Sequence, residues 1–108
     1  MLRAIPLEPY PHFTQQSELD GVTYSFEFRW SQRAACWHLD LRTPDDLPIA
    51  LSVRLVTGFP LLRRVTHPQR PAGELWMLDL SGPGEEPTLE GLGTRFVLFY
   101  VDAAGLYA

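Results

Sequence analysis

Apolar and polar positions alternate with a period of two along most of the chain. The clearest run is residues 22–30, where Val22, Tyr24, Phe26, Phe28 and Trp30 share one face and Thr23, Ser25, Glu27 and Arg29 share the other. Side chains of a strand point alternately to opposite faces, so this run predicts a half-buried β-strand. Asp20-Gly21 stands just before it. Such a pair between alternating segments predicts a hairpin, because a type I′ turn needs positive φ. The partner strand is then residues 13–19. Its polar residues (Thr14, Gln15, Gln16, Ser17, Glu18) predict an edge or solvated position.

Four further segments read as strands. In residues 35–42, Trp37, Leu39 and Leu41 are expected to face inward, with Cys36, His38, Asp40 and Arg42 on the other side. The turn Thr43-Pro44-Asp45-Asp46 follows, and residues 49–56 put Ile49, Leu51, Val53 and Leu55 on one face. Residues 74–80 alternate Trp76, Leu78 and Leu80 against Leu75, Met77 and Asp79. Residues 95–101 are apolar on both faces, which predicts a central strand covered on both sides. The predicted core is Tyr24, Phe26, Phe28, Trp37, Leu39, Ile49, Leu51, Val53, Trp76, Leu78 and Leu98.

Two stretches lack strand character. Residues 62–73 carry Arg63, Arg64, His67 and Arg70, and residues 81–93 carry Glu85, Glu86 and Glu90 among glycines and prolines. No helix with credible caps, no repeat and no low-complexity tract is visible. The reading is one all-β domain over residues 1–108. It is a small antiparallel β-sandwich or partly open barrel of five to seven strands, with one long basic loop and one long acidic loop.

Composition narrows the function. The length of 108 residues fits one domain, and 45% hydrophobic residues can form a core. No apolar run reaches the roughly 18–20 residues that cross a bilayer. The start, Met1 to Pro6, has one Arg and no apolar stretch behind it, so no secretory leader is expected and synthesis in a cytosol is. Net charge is −4, which argues against nucleic acid as the main partner. All nine basic residues are Arg. GC-rich coding accounts for this, and Arg also suits planar, bidentate interfaces better than Lys.

Candidate chemistry is sparse, and no catalytic, metal-binding or cofactor residues are assigned. The single cysteine, Cys36, can form neither an internal disulfide nor a cysteine zinc cage. Cys36 and His38 share a strand face about 7 Å apart, beyond the reach of a nucleophile and its base. A metal would need two more ligands, with His12 and His67 as the only other histidines. Asp45 and Asp46 read as turn carboxylates. Gly82-Pro83-Gly84 and Gly91-Leu92-Gly93 match neither a P-loop nor a dinucleotide fingerprint. His38, Asp40 and His67 are scattered candidates for an enzyme reading, which would need them to converge in one cleft. The basic loop reads as a solvated loop or a protein interface, and less readily as a nucleic-acid contact because it has no aromatics to stack on bases; on the interface reading Arg63, Arg64, His67, Arg70, Glu85 and Glu86 are its residues. Complementary loops can dock on neighbours and fix register. The residues 13–19 can also add to a neighbouring sheet edge. A small β-barrel that binds a ligand or nucleic acid is the alternative; it would need exposed aromatics with basic rims.

The ordered set of segments resembles a known family. It runs from Ile5-Pro6-Leu7 through Leu19-Asp20-Gly21-Val22-Thr23-Tyr24, Trp30 with Arg33, Trp37-His38-Leu39-Asp40-Leu41, and Pro48-Ile49-Ala50. Next come Val53-Arg54-Leu55-Val56-Thr57-Gly58, Leu61-Leu62, Gly73-Glu74-Leu75, Leu78-Asp79, Pro87, Leu92-Gly93 and Phe99-Tyr100-Val101. This is similar to the baseplate plug family of contractile-tailed phages, small all-β proteins at the centre of the tail baseplate. The chain departs from that pattern at Ser31, where relatives have Asn, and near Ser52, where they have Gly. The resemblance implies a non-enzymatic virion part, without cofactor, that links or closes the hub at the end of the tail tube. Its implied partners are hub, tail tube and wedge proteins, with its own copies around the tail axis as a further option, and neither nucleic acid nor membrane.

Overall fold

A computed structural model describes residues 2–102. Among them are seven strands: β1 Leu2–Ile5, β2 His12–Leu19, β3 Val22–Ser31, β4 Cys36–Arg42, β5 Pro48–Arg54, β6 Glu74–Asp79 and β7 Phe96–Val101. They form two antiparallel sheets, one in the order β1-β7-β6 and one in the order β2-β3-β4-β5, and the sheets do not close into a barrel.

Local chemistry explains the hairpin that starts the larger sheet. Asp20 and Gly21 have φ of 52° and 80°, the pair of positive angles that a type I′ turn requires. The turn sets Leu19 opposite Val22, and the register runs unbroken to His12 opposite Arg29. β2 lies at the edge of its sheet, as its polar sequence predicts.

The core fills the space between the sheets. Tyr24, Phe26, Phe28, Trp37, Leu39 and Leu41 from the larger sheet join Leu75, Met77, Phe96, Leu98 and Tyr100 from the smaller one in a single cluster. Phe13 stacks on Phe28 at 4.7 Å, and Trp30 meets Trp37 edge-on at 5.6 Å. The indole nitrogen of Trp37 donates to the Thr88 carbonyl at 3.1 Å, which satisfies its polar handle and anchors the acidic loop.

Four expectations need correction. Trp76 and Leu78 are not core residues. Leu75 and Met77 point inward instead, because the register sets them opposite the buried Tyr100 and Leu98. Leu51 is 53% exposed rather than buried. Between the pairs Leu39↔Val53 and Leu41↔Ala50, β5 has one more residue than β4, a β-bulge that turns Leu51 outward and leaves Val53 only half-buried. Ser52 within the bulge has φ of 56°, a left-handed conformation that favours glycine. β7 is central, but only Phe96, Leu98 and Tyr100 are buried; Val97, Phe99 and Val101 are half-covered. Finally, the segment before Pro6 is a strand that periodicity did not predict. β1 is held by antiparallel pairing to β7, with Ile5 opposite Leu98.

Gly73 gives a sharp test of this packing. A Cβ there would lie 1.9 Å from the Val101 carbonyl oxygen and 2.8 Å from the Tyr100 ring. Gly73→Ala is expected to destabilise the chain by about 3 kcal/mol through overpacking against backbone that cannot yield. Urea unfolding followed by tryptophan fluorescence measures this; an unchanged midpoint would refute the packing described.

Candidate interaction surfaces

The basic loop between β5 and β6 is built around Arg70. Its guanidinium donates to the carbonyls of Leu62 at 2.6 Å, Val65 at 3.1 Å, Gly73 at 3.0 Å and Pro71 at 3.0 Å. Glu74 is buried beneath the loop, and its Oε1 accepts from the amides of Leu62 at 2.6 Å and Leu75 at 2.9 Å. The Tyr24 hydroxyl donates to the Gln69 carbonyl at 2.9 Å. Arg70 is thus an internal clip. Arg63 and Arg64 are exposed at the same loop. His67 is half-buried, and its Nδ1 accepts from the Gln69 amide at 3.1 Å. Between this loop and β5 runs a groove of about 670 Å³.

The acidic loop between β6 and β7 is built around Asp79. Its carboxylate accepts two bonds from Arg95, at 2.9 and 3.0 Å. It also accepts from the Ser81 hydroxyl at 2.7 Å and from the amides of Ser81, Gly84 and Glu85 at 3.0–3.1 Å. Arg95 donates further to Glu85 at 2.9 Å, and the Glu85 carbonyl accepts from the Thr57 hydroxyl at 2.7 Å. Glu85 is therefore tied down, while Glu86 stands exposed. Asp79 and Arg95 escaped the sequence reading, although Asp79 before Leu80-Ser81-Gly82 is the pattern of an Asx-type turn. The Arg95 guanidinium, with the Ser81 and Glu85 donors, holds the Asp79 carboxyl well below the usual carboxylate range.

The two outer faces differ in chemistry. The outer face of the larger sheet carries a charged ladder. His12 bonds Glu27 at 2.5 Å, Arg42 donates to Glu27 at 2.8 Å and to Asp40 at 3.2 Å, and Arg29 donates to Asp40 at 2.8 Å. Asp40 also accepts the amide of the bulged Ser52 at 2.7 Å. Burial opposes ionisation of Asp40, but the Ser52 amide and the two arginines outweigh it and lower its pKa. Glu27 is likewise lowered, chiefly by His12. The outer face of the smaller sheet is apolar instead. The register sets Trp76 opposite Phe99, Leu78 opposite Val97 and Ala4 opposite Phe99. Leu78 is 38% exposed, and Leu80 just beyond the strand is 63% exposed.

The remaining candidates fall apart in space. Cys36 is buried, and His38 is half-buried in a groove with Arg29, Trp30, Ser31 and Ser52. His67 lines the other groove, beside β5. Asp45 and Asp46 are exposed in their turn, where Asp46 lies 3.7 Å from Arg42.

A family model described as "Cyanophage baseplate Pam3 plug gp18" matches residues 2–103. The chain belongs to this family. No curated protein matches the chain. Membership agrees with the resemblance drawn from the ordered segments. It supports a structural role in the phage tail baseplate, in contact with other baseplate components.

The lowered carboxylates of this plug-family chain set its acid stability. A depressed folded pKa stabilises above the unfolded value and loses that contribution as pH falls. Asp79, Asp40 and Glu27 should hold full stability above about pH 5 and lose it progressively below about pH 4. Tyr100 behaves in the opposite sense. Burial and the Asp20 carboxylate raise its pKa, so its contribution is present below about pH 10 and lost above it. Urea midpoints between pH 2 and 7 measure the acid limb. Asp79→Asn should lower the midpoint at pH 7 and flatten the acid slope; a parallel curve would remove Asp79 from this account.

Proposed function

We propose that the chain is a non-catalytic plug that links or closes the hub at the end of the tail tube. The observation that carries this reading is the apolar outer face of the smaller sheet. A strand apolar on both sides is built to be covered on both sides. Here the chain buries one side of β7 fully and the other only in part: Trp76, Val97 and Phe99 are half-covered and Leu78 is exposed, which leaves apolar area for a neighbour. The loops supply further, charged contacts. Arg63, Arg64, His67 and Glu86 meet partner groups, while Arg70 and Glu85 shape the loops that present them. Rim charges of this kind govern orientation and association rate more than affinity. Hub, tail tube and wedge proteins are the partners on this reading, and copies of the chain can surround the tail axis.

The test mixes the purified chain with the hub, tube and wedge proteins of its own virion and weighs the products by native mass spectrometry. A defined co-complex is expected. Leu78→Glu with Leu80→Glu should weaken it at least about tenfold while changing monomer stability by less than about 1 kcal/mol, because both residues lie on the surface. A chain that joins none of these proteins, or a co-complex indifferent to both substitutions, would overturn the reading.

A further inference from the structure

The four sheet edges are not treated alike. The edge beside β6 is capped by residues 57–61, through the bridges Thr57↔Met77 and Pro60↔Trp76 and the bonds Gly58 N to Met77 O at 2.8 Å and Leu61 N to Leu75 O at 3.0 Å. At β1, Arg3 reaches across to the Glu18 carbonyl of β2 at 2.6 Å, and at β2 Gln15 reaches the Pro6 carbonyl at 3.4 Å. β2 also carries polar side chains along most of its length.

β5 is neither capped nor tied across in this way, and its irregularities are the register shifts between Ala50 and Val53 and between Pro48 and Ala50. It is the last strand of its sheet, so the backbone edge turned from β4 pairs with no strand. Its middle, Ile49-Ala50-Leu51-Ser52-Val53, contains no charge. An open apolar edge of this kind is a template for another strand. Beside it lies the groove of about 670 Å³, whose apolar lining includes Leu51, Val53, Phe59 and Val65. Its ionisable lining residues are Arg54, Arg64 and His67, with no carboxylate among the described residues that line it. The basic rim also selects the occupant. A second β5 edge would offer only another basic rim and no carboxylate to meet Arg54 and Arg64.

We infer that the β5 edge and its groove bind an extended, acidic segment of another protein of the assembly. The segment adds a fifth strand to the larger sheet. Its backbone pairs with β5, alternate apolar side chains enter the groove, and its carboxylates meet Arg54 and Arg64. This inference rests on the reading of the chain as an assembly part, and names the surface and the partner chemistry that the reading leaves open.

The test uses the whole chain, labelled with nitrogen-15, and three capped nine-residue peptides. One alternates Thr and Val with two Glu, the second has Lys for Glu, and the third is the acidic peptide with N-methylated backbone on one edge. The acidic peptide should shift amide signals of residues 49–54 and 63–67, and Arg54→Glu with Arg64→Glu should weaken it at least about fivefold. The Lys and N-methylated peptides should leave these signals unmoved. No shift at millimolar peptide, equal shifts from the Lys peptide, or shifts confined to β2 would overturn the inference. Concentration-dependent shifts of residues 49–54 without peptide would also overturn it, in favour of a second copy of the chain. Hydrogen exchange on the co-complex separates the two readings. A co-complex that leaves residues 49–54 unprotected removes this inference and leaves the assembly role intact.

Discussion

Two stacked sheets can bury one face each, and every other feature of this protein follows from how the chain uses that limit. The shared interior takes the aromatic run of β3, the inward side of β4 and the inward sides of β6 and β7. That leaves two outer faces for different uses. The larger sheet spends its outer face on a ladder of His12, Glu27, Arg42, Asp40 and Arg29, which water tolerates. The smaller sheet has an apolar outer face, on which Leu78 is exposed and Trp76, Val97 and Phe99 are half-covered. On the proposed reading this asymmetry suits a part built into a larger body, with one face wet and the other finished by a neighbour.

Irregular backbone is held by charge rather than by ladder bonds. Three sites repeat the same solution. Asp40 takes the amide freed by the bulge at Ser52, Arg70 gathers four carbonyls of the basic loop, and Asp79 gathers three amides of the acidic loop. A buried backbone group without a partner is costly, so a loop that leaves the sheet needs substitutes of this kind. The rigid fork of Arg suits several carbonyls or a carboxylate at once, which gives the all-Arg composition a structural use. Arg29, Arg42, Arg70 and Arg95 are engaged inside the chain, while Arg54, Arg63 and Arg64 are exposed.

The loops therefore combine two kinds of residue that look identical in the sequence. Arg63, Arg64 and Arg70 stand within eight positions of one another, yet one is a clip and two are surface charges. Glu85 and Glu86 are adjacent and both exposed, yet the first is bound to Arg95. Local composition shows a basic loop and an acidic one; only the fold shows which charges are already used.

The sequence by itself determined the class of fold, the hairpin at Asp20-Gly21, the edge place of β2 and six of the strands, because alternation and turn chemistry are local. It also carried the family, through the order of its segments. Tertiary structure decided the rest. Leu75 and Met77 face inward rather than Trp76 and Leu78 because both parities of β6 are apolar, and only pairing with β7 breaks the tie. Leu51 turns outward because one extra residue in β5 shifts its parity, and a bulge leaves no mark in the apolar pattern. β1 is too short to show a period and exists because β7 offers it an edge. Period-two patterning fixes which residues share a face. Which face is inside is fixed by the partner strand, and that partner is distant in sequence.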